Sequence, residues 1–353
     1  MGTTELKNKG AFMDRVDHFV MKDIPVPEIT ADQVLIRVEY VGICGSDVHY
    51  FHDGRCGTFV VEEGKDFMLG HELAGTIVKI GTDVKNLVAG DRVCVEPGIT
   101  CGKCEHCKSG QYNRCPDVEF LATPPIQGCN VRYLAFPADL CFKLPDNIST
   151  RVGALIEPLS TSMHSTILSE ATVGDTVVIL GSGCIGLLIM MCCKARGASK
   201  VIMADLENIR LEKATELGAD YVINSRNKDV IEEVNRITNG RGADVVIEAA
   251  GSKVTVAQTP FLVRQGGLIL LVGMTAEEEI TYNFGQIMAK EARIKTQFRF
   301  VNTFPIAIAA VESGAIPVEK IVTHEYTFDQ IQDAYMACVN DKASVVKALI
   351  KID

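Results

Sequence analysis

The chain has 353 residues, 47% of them apolar and 23% charged, with a formal net charge of −10. That length fits two domains of roughly 100 to 200 residues better than one core; no apolar run approaches the roughly 18 residues of a membrane span, and an acidic chain without a Lys/Arg stripe argues against nucleic acid as a partner. The start, MGTTELKNKG, lacks the apolar core of a signal peptide, so a cytoplasmic protein with no membrane partner is expected, and its thirteen cysteines read chiefly as small buried hydrophobes of a reducing compartment rather than as a disulfide framework.

In residues 34–40 apolar side chains alternate with Arg37 and Glu39, the pattern of a half-buried strand. Val41-Gly42-Ile43-Cys44-Gly45 then delivers Cys44 onto a glycine-flanked turn that carries Ser46, Asp47 and His49. Gly70-His71-Glu72 follows, and Glu157-Pro158 comes much later. Together these offer a thiolate, an imidazole, carboxylates and a hydroxyl. A zinc site open for catalysis takes three such mixed ligands and leaves a fourth position for water or substrate. Further strands are expected at 74–80 and 92–95, separated by Gly81-Thr82-Asp83 and Gly90-Asp91, so this half reads as β-rich and barrel-like with few long helices.

Cys101, Cys104, Cys107 and Cys115 share one loop with the spacing C-x2-C-x2-C-x7-C. Four thiolates in a tetrahedron close a structural zinc site. The rival is an iron–sulfur cluster, because Cys115-Pro116 echoes the Cys-Pro ending of ferredoxin runs; zinc is favoured because the last spacing is seven rather than three.

The second half begins with a short β-branched run at 176–180 that enters Gly181-Ser182-Gly183-Cys184-Ile185-Gly186 and an apolar helical segment over 187–194. This is G-x-G-x-x-G between a strand and a helix, where the glycines make the turn and the helix N-terminus faces a pyrophosphate. A second strand over 201–204 ends in Asp205, nineteen residues after Gly186, where an acid would bond the ribose hydroxyls. An anion there repels a 2′-phosphate and favours NAD over NADP, with Arg210 placed to stack on adenine or, as the alternative, to accommodate a phosphate. Strands are then expected at 221–223, 244–248 and 268–272, alternating with helices that include Val230, Ile231, Val234 and Ile237 on one face and one running to about Arg264. Such alternation gives an α/β, doubly wound parallel sheet of Rossmann type. Beyond Gly273 come a strand over 294–298, a helix over 305–313 and a strand-like tail around 326–328 and 345–350 that returns to the first domain.

The order of these features resembles the zinc-containing medium-chain dehydrogenase/reductase family, whose fold is a GroES-like β-rich catalytic domain plus a Rossmann domain. The resemblance covers nearly the whole chain. Val41 to Tyr50 (VGICGSDVHY), Ala122-Thr123-Pro124-Pro125, Lys143-Leu144-Pro145-Asp146-Asn147, Gly153 to Ser160 (GALIEPLS) and Phe298-Arg299-Phe300 are similar to the sorbitol (L-iditol 2-) and xylitol dehydrogenase branch. The resemblance implies a catalytic domain over 1–157 and 295–353 with a structural zinc lobe at the four cysteines, and a cofactor domain over 158–294. It implies catalytic zinc on Cys44, His71 and Glu72, with Glu157 next to the metal holding its water or the substrate, and Asp47 orienting His71. Because neighbours on a strand point to opposite faces, the residues themselves leave open whether Glu72 or Glu157 completes the inner shell. Tyr50, Glu157, Arg299 and Phe300 match positions lining the polyol pocket, with Phe300 standing where family members often have tyrosine. Gly181, Gly183, Ile185, Gly186, Asp205, Arg210, Val272, Gly273, Met274, Gln297 and Phe298 match the cofactor site. His18, His52, His106, His164 and His324 receive no role.

The expected activity is oxidation of a secondary alcohol in a sorbitol- or xylitol-type sugar alcohol to the ketose, with reduction of NAD, in a protein resembling a homotetrameric branch. Ser46 and His49 are placed in sequence to hand the proton outward. The alternatives are a related zinc alcohol or threonine dehydrogenase and, from another class, a catalytically inactive NAD- and zinc-binding sensor.

Overall fold

The structure, a computed structural model, describes residues 6–275, 277 and 279–352. The chain forms two units, one comprising Met1–Glu157, Ala307–Glu312 and Val322–Asp353 and the other Pro158–Ile306 with Ser313–Ile321. Among the described residues no helix is long and apolar enough to cross a membrane.

In the first unit the strand Gln33–Gly42 is the centre of a seven-stranded sheet. On one side it pairs antiparallel with Glu72–Ile80, which leads on to Arg92–Val95 and Cys141–Lys143, while Ala348–Lys351 and then His324–Thr327 lie on the other; Tyr133–Pro137 pairs with its first half. Val34, Ile36 and Val38 are fully buried and alternate with the partly exposed Arg37 and Glu39, the half-buried pattern expected of an antiparallel sheet. The tail strand begins at Ala348, later than the expected 345, and rejoins this sheet. Gly42 is the register point for the site: it stands opposite Glu72 on one side and Leu349 on the other.

The expected turn after Cys44 is instead a nine-residue helix, Gly45–Asp53. The local chemistry explains it. The Cys44 N–H donates to Asp47 Oδ2 at 3.2 Å, one arm of a capping box, and Gly54 ends the helix in the left-handed region with φ +68°.

The second unit carries a six-stranded, all-parallel sheet in the order Tyr221–Asn224, Lys200–Asp205, Thr176–Leu180, Ala243–Glu248, Val263–Leu271, Arg293–Thr296. Numbered along the chain that order is 3-2-1-4-5-6, and ligands bind such sheets where the order reverses, here between Thr176–Leu180 and Ala243–Glu248. Val177, Val178, Ile179 and Leu180 are all 0% exposed, as strands covered on both faces require; burying each such side chain is worth about 1.5–3 kcal/mol. The helix Lys253–Leu262 stops two residues before the expected Arg264, and the next strand starts at once at Val263 rather than at 268. The edge strand Arg293–Thr296 is hydrogen-bonded to Val263–Leu271, so residues 295–306 stay with this unit, beyond the boundary drawn at 294.

Candidate active site and metal centres

Three donors of different kind converge at one end of the seven-stranded sheet. The ligand atoms of Cys44, His71 and Glu72 lie within 4.8 Å of one another. Cys44 is half-buried at the N-cap of the Gly45–Asp53 helix, while His71 and Glu72 are 5% and 1% exposed. The strand starts at Glu72 and His71 precedes it, so the alternation that sends strand neighbours to opposite faces does not separate this pair. Glu157 is buried and interacts electrostatically with His71 and Glu72, standing beside the convergent three.

Asp47 ties the two chain segments together. It is 0% exposed, accepts from the Cys44 N–H through Oδ2 and from the Gly70 N–H through Oδ1 at 3.1 Å, and its Oδ1 lies 3.4 Å from His71 Nδ1. The field of these acids favours a cation. Burial lowers the pKa of the His71 imidazole, yet the charges of Asp47 and Cys44 outweigh burial and raise it well above its ordinary value. Burial, aided by Glu72 and Asp47, pushes the Glu157 carboxyl up to about 8 against the opposing pull of His71 and Lys347. A soft thiolate, an imidazole and a carboxylate in an anionic, largely buried setting form the donor set of an open zinc site, and the residues present fit that metal.

Lys347 was not singled out in the sequence. It is 2% exposed, donates to the Ile43 carbonyl at 2.9 Å and pairs with Glu72 Oε2. The readable signal was a lysine inside the apolar run Val345-Val346-Lys347-Ala348-Leu349.

Tyr50 is 4% exposed, packs edge-on against Phe67 and interacts through its hydroxyl with Thr123; burial raises its pKa. Ser46 is half-buried and His49 exposed on the same helix, three residues apart, and His49 Nδ1 contacts Asp53 Oδ2 at 3.0 Å.

The four loop cysteines bring their sulfurs within 4.8 Å of one another, and all are free thiols. Cys104 and Cys107 Sγ are 3.4 Å apart, the Cys101 N–H donates to Cys115 Sγ, and Tyr112 anchors the loop through Glu96 at 2.7 Å. Sulfurs at about 2.3 Å from a tetrahedral zinc stand about 3.8 Å from each other, so the cluster fits a closed site. Backbone N–H groups of Lys103 and Cys104 hold the Cys101 thiol down at about 7, partway to the thiolate a metal requires.

In the second unit the glycine turn takes the expected form. Gly181 has φ +103°, and an added Cβ would sit 2.9 Å from the Ala250 nitrogen, so only glycine serves there. Gly183 is the N-cap of the helix Cys184–Ala195, with Ile185 and the buried Gly186 in its first turn. Asp205 ends its strand and accepts from the N–H groups of Ser182 at 2.7 Å and Glu207 at 3.0 Å, which fixes the carboxylate beside the turn. Arg210 Nη1 lies 3.9 Å from the point where a Gly183 side chain would begin. The Val272 and Gly273 N–H groups donate to the Glu248 carbonyl. Glu248, a fully buried carboxylate also missed in the sequence, accepts from the Ala250 and Gly251 N–H groups and from Thr255 Oγ1. Gln297 is engaged at both ends, by Ser165 Oγ and by the Thr161 and Arg299 carbonyls. Met274 and Phe298 are exposed; Arg299, at φ +53°, stacks its guanidinium over Phe298 at 4.7 Å, and Phe300 is 4% exposed against Phe304. A glycine turn at a helix N-terminus with a fixed acid at the end of the next strand fits the pyrophosphate and ribose of a dinucleotide.

Comparison with known proteins agrees with this geometry. Residues 30–146 match the alcohol dehydrogenase GroES-like domain and residues 184–313 the zinc-binding dehydrogenase domain. Sorbitol dehydrogenase of Bacillus subtilis (strain 168) is 43% identical over 342 residues, which span 97% of this chain and 96% of that protein. The crystal structure of an Escherichia coli oxidoreductase/dehydrogenase of unknown specificity matches with a TM-score of 0.94 at 42% identity, covering 99% of this chain and 100% of that one. An Escherichia coli CFT073 alcohol dehydrogenase solved in complex with NADH matches with a TM-score of 0.90 at 28% identity, covering 98% and 99% of the two chains.

Proposed function

This chain belongs to the zinc-binding alcohol dehydrogenase family, in its sorbitol dehydrogenase branch, and from that premise we propose that it oxidises a secondary alcohol of a sorbitol- or xylitol-type sugar alcohol to the ketose while reducing NAD. The observation that carries the reading is the convergence of one thiol, one imidazole and one carboxylate within 4.8 Å.

In this reading Cys44, His71 and Glu72 hold the catalytic zinc and Glu157 stands next to it. Bound zinc supplies the Lewis acidity that makes a secondary hydroxyl acidic, and bound NAD supplies the hydride acceptor. Glu157, buried beside these three residues, hydrogen-bonds the substrate or its water. The hydroxyl proton leaves to Ser46 Oγ and on to the His49 imidazole, whose exposure gives it to solvent. Tyr50 and Arg299 orient the remaining hydroxyls, Arg299 with a guanidinium that stays charged at any working pH, and Phe300 backs the pocket. Gly181, Gly183, Ile185 and Gly186 receive the pyrophosphate, Asp205 reads the ribose with Arg210 beside the adenine, and Val272, Gly273, Met274, Gln297 and Phe298 serve the rest of the cofactor. The four loop cysteines hold a second, structural zinc. A cytoplasmic homotetramer completes the reading, supported by likeness to the branch and by thirteen unbridged cysteines.

The test is steady NADH production from a panel of alcohols, paired with metal analysis. Turnover with sorbitol or xylitol and none with threonine or ethanol is expected, from a colourless protein with about two zinc per chain. The reverse substrate profile would identify another dehydrogenase of the family, zinc and NAD binding without turnover a sensor, and a brown protein an iron–sulfur loop.

Cofactor choice gives a second expectation. Asp205→Ser removes a charge that bonds ribose hydroxyls and repels a 2′-phosphate, so the ratio of kcat/KM for NAD over NADP should fall about ten- to a hundredfold, given about 1.5–3 kcal/mol for a hydrogen bond to a charged group. An unchanged ratio would mean that the ribose is read elsewhere.

A further inference from the structure

A buried lysine beside a zinc site needs a reason, because taking an ammonium and a carboxylate out of water is costly and such a pair is weak as a stabilising device. Lys347 and Glu72 are 2% and 1% exposed at their side chains and are paired through Nζ and Oε2. The ammonium is held from a second direction by the Ile43 carbonyl, one residue before Cys44. Room for the pair comes from Gly42: any Cβ there would collide with the Glu72 carboxylate and would lie 3.1 Å from Lys347 Cε. Gly42 faces Glu72 across one strand pair and Leu349 across the other, so the register of the sheet brings the lysine and the glutamate together.

We propose that Lys347 is a positioning residue for the metal centre: by engaging Oε2 it fixes the Glu72 carboxylate and leaves it to serve the zinc through a single oxygen. The inference rests on the assignment of Glu72 as a zinc ligand. Carboxylate ligands are commonly oriented by a partner outside the metal's own shell, here an ion-paired ammonium, and loss of such a partner typically costs about 10- to 100-fold in metal affinity or activity. Lys347 also brings a positive charge to Glu72 and into the field of Glu157, attracting both carboxylates.

The experiment measures zinc retention by the full-length protein against a competing chelator, and the visible spectrum of protein whose catalytic site is loaded with Co²⁺. Lys347→Met is expected to lose catalytic-site zinc at about 10- to 100-fold higher free Zn²⁺ than wild type, with an altered cobalt spectrum, while the zinc of the four-cysteine loop stays bound. Lys347→Gln, which is shorter and uncharged but can still donate a hydrogen bond to the Ile43 carbonyl, should give the same loss, and it decides the matter in the same terms if Lys347→Met does not fold. Wild-type or tighter zinc retention with an unchanged cobalt spectrum in the folded variant would overturn the proposal. Glu72→Gln separates the two levels of the argument: if it weakens zinc retention while Lys347→Met does not, Glu72 remains a ligand and the role of Lys347 falls. If Glu72→Gln itself retains zinc like wild type, the ligand assignment falls, and the proposal with it.

Discussion

Cys44→Ser should yield a folded protein that has lost polyol oxidation, with kcat/KM down by on the order of 10³-fold or more, the equivalent of about 4 kcal/mol of transition-state stabilisation. A serine hydroxyl stays protonated near neutral pH and is a poor substitute for a thiolate, so the donor set that makes a catalytic zinc site drops to one imidazole and one carboxylate. The fold has no comparable stake in the sulfur. Cys44 caps the Gly45–Asp53 helix, and serine is among the best N-cap residues, so the substitution should leave that helix intact or firmer. The four-cysteine loop and the glycine turn, which draw no donor from Cys44, should keep their zinc and their affinity for NAD. Metal analysis should therefore fall from about two zinc per chain to about one, with circular dichroism, thermal midpoint and NADH binding near wild type. Retained turnover in the variant would reject Cys44 as a ligand. His71→Ala should match it in activity, though it also leaves Asp47 without its imidazole neighbour.

What could be read from the sequence depended on how local each feature is. The glycine turn, its helix and Asp205 lie within one strand–helix–strand unit, and the apolar run before Gly181 is continuous because both faces of a parallel sheet are covered. That part of the fold was legible residue by residue. The four cysteines were equally plain, since their spacing alone confines the sulfurs to one loop. The helix after Cys44 was hidden by its composition: Gly45-Ser46-Asp47 looks like a turn, and the helix is fixed by the Asp47–Cys44 cap and by Gly54 at its end rather than by apolar periodicity. The choice between Glu72 and Glu157 stayed open in the sequence for a related reason, because the alternation rule presumes that both His71 and Glu72 lie in the strand, and the strand begins at Glu72. Lys347 interrupts an apolar run, but the run does not name its partner, which is brought to it only by the pairing of Gly42 with both Glu72 and Leu349. The edge strand Arg293–Thr296 likewise belongs to the parallel sheet through its ladder with Val263–Leu271, which no local pattern around residue 294 announces.

Asp47→Asn should be the most damaging isosteric change in the first unit. The Asp47 side chain has no solvent to fall back on, and its two oxygens accept from two different backbone donors, Cys44 N–H and Gly70 N–H. An asparagine has only one oxygen, so whichever way the amide is turned, an NH₂ group meets an N–H donor and one buried group is left unsatisfied, at about 1–3 kcal/mol. One donor belongs to Cys44 and the other to the residue before His71, so the loss loosens two of the residues proposed to hold zinc, and the charge that sets the His71 imidazole is gone as well. Catalytic-site zinc affinity should fall about 10- to 100-fold and the thermal midpoint should drop, both measurable by chelator competition and calorimetry. The zinc-free protein offers a separate check through pH. His71 there has a pKa raised well above its ordinary 6.5, because Asp47 and Cys44 outweigh burial; a raised folded-state pKa means stability that is fully present below 6.5 and is lost as pH rises through the folded-state value. Zinc-stripped wild type should accordingly lose stability across that rise, and zinc-stripped Asp47→Asn should show much less of the loss because the charge that sustains the shift has been removed. Equal slopes for the two zinc-free proteins would show that Asp47 does not govern the His71 imidazole.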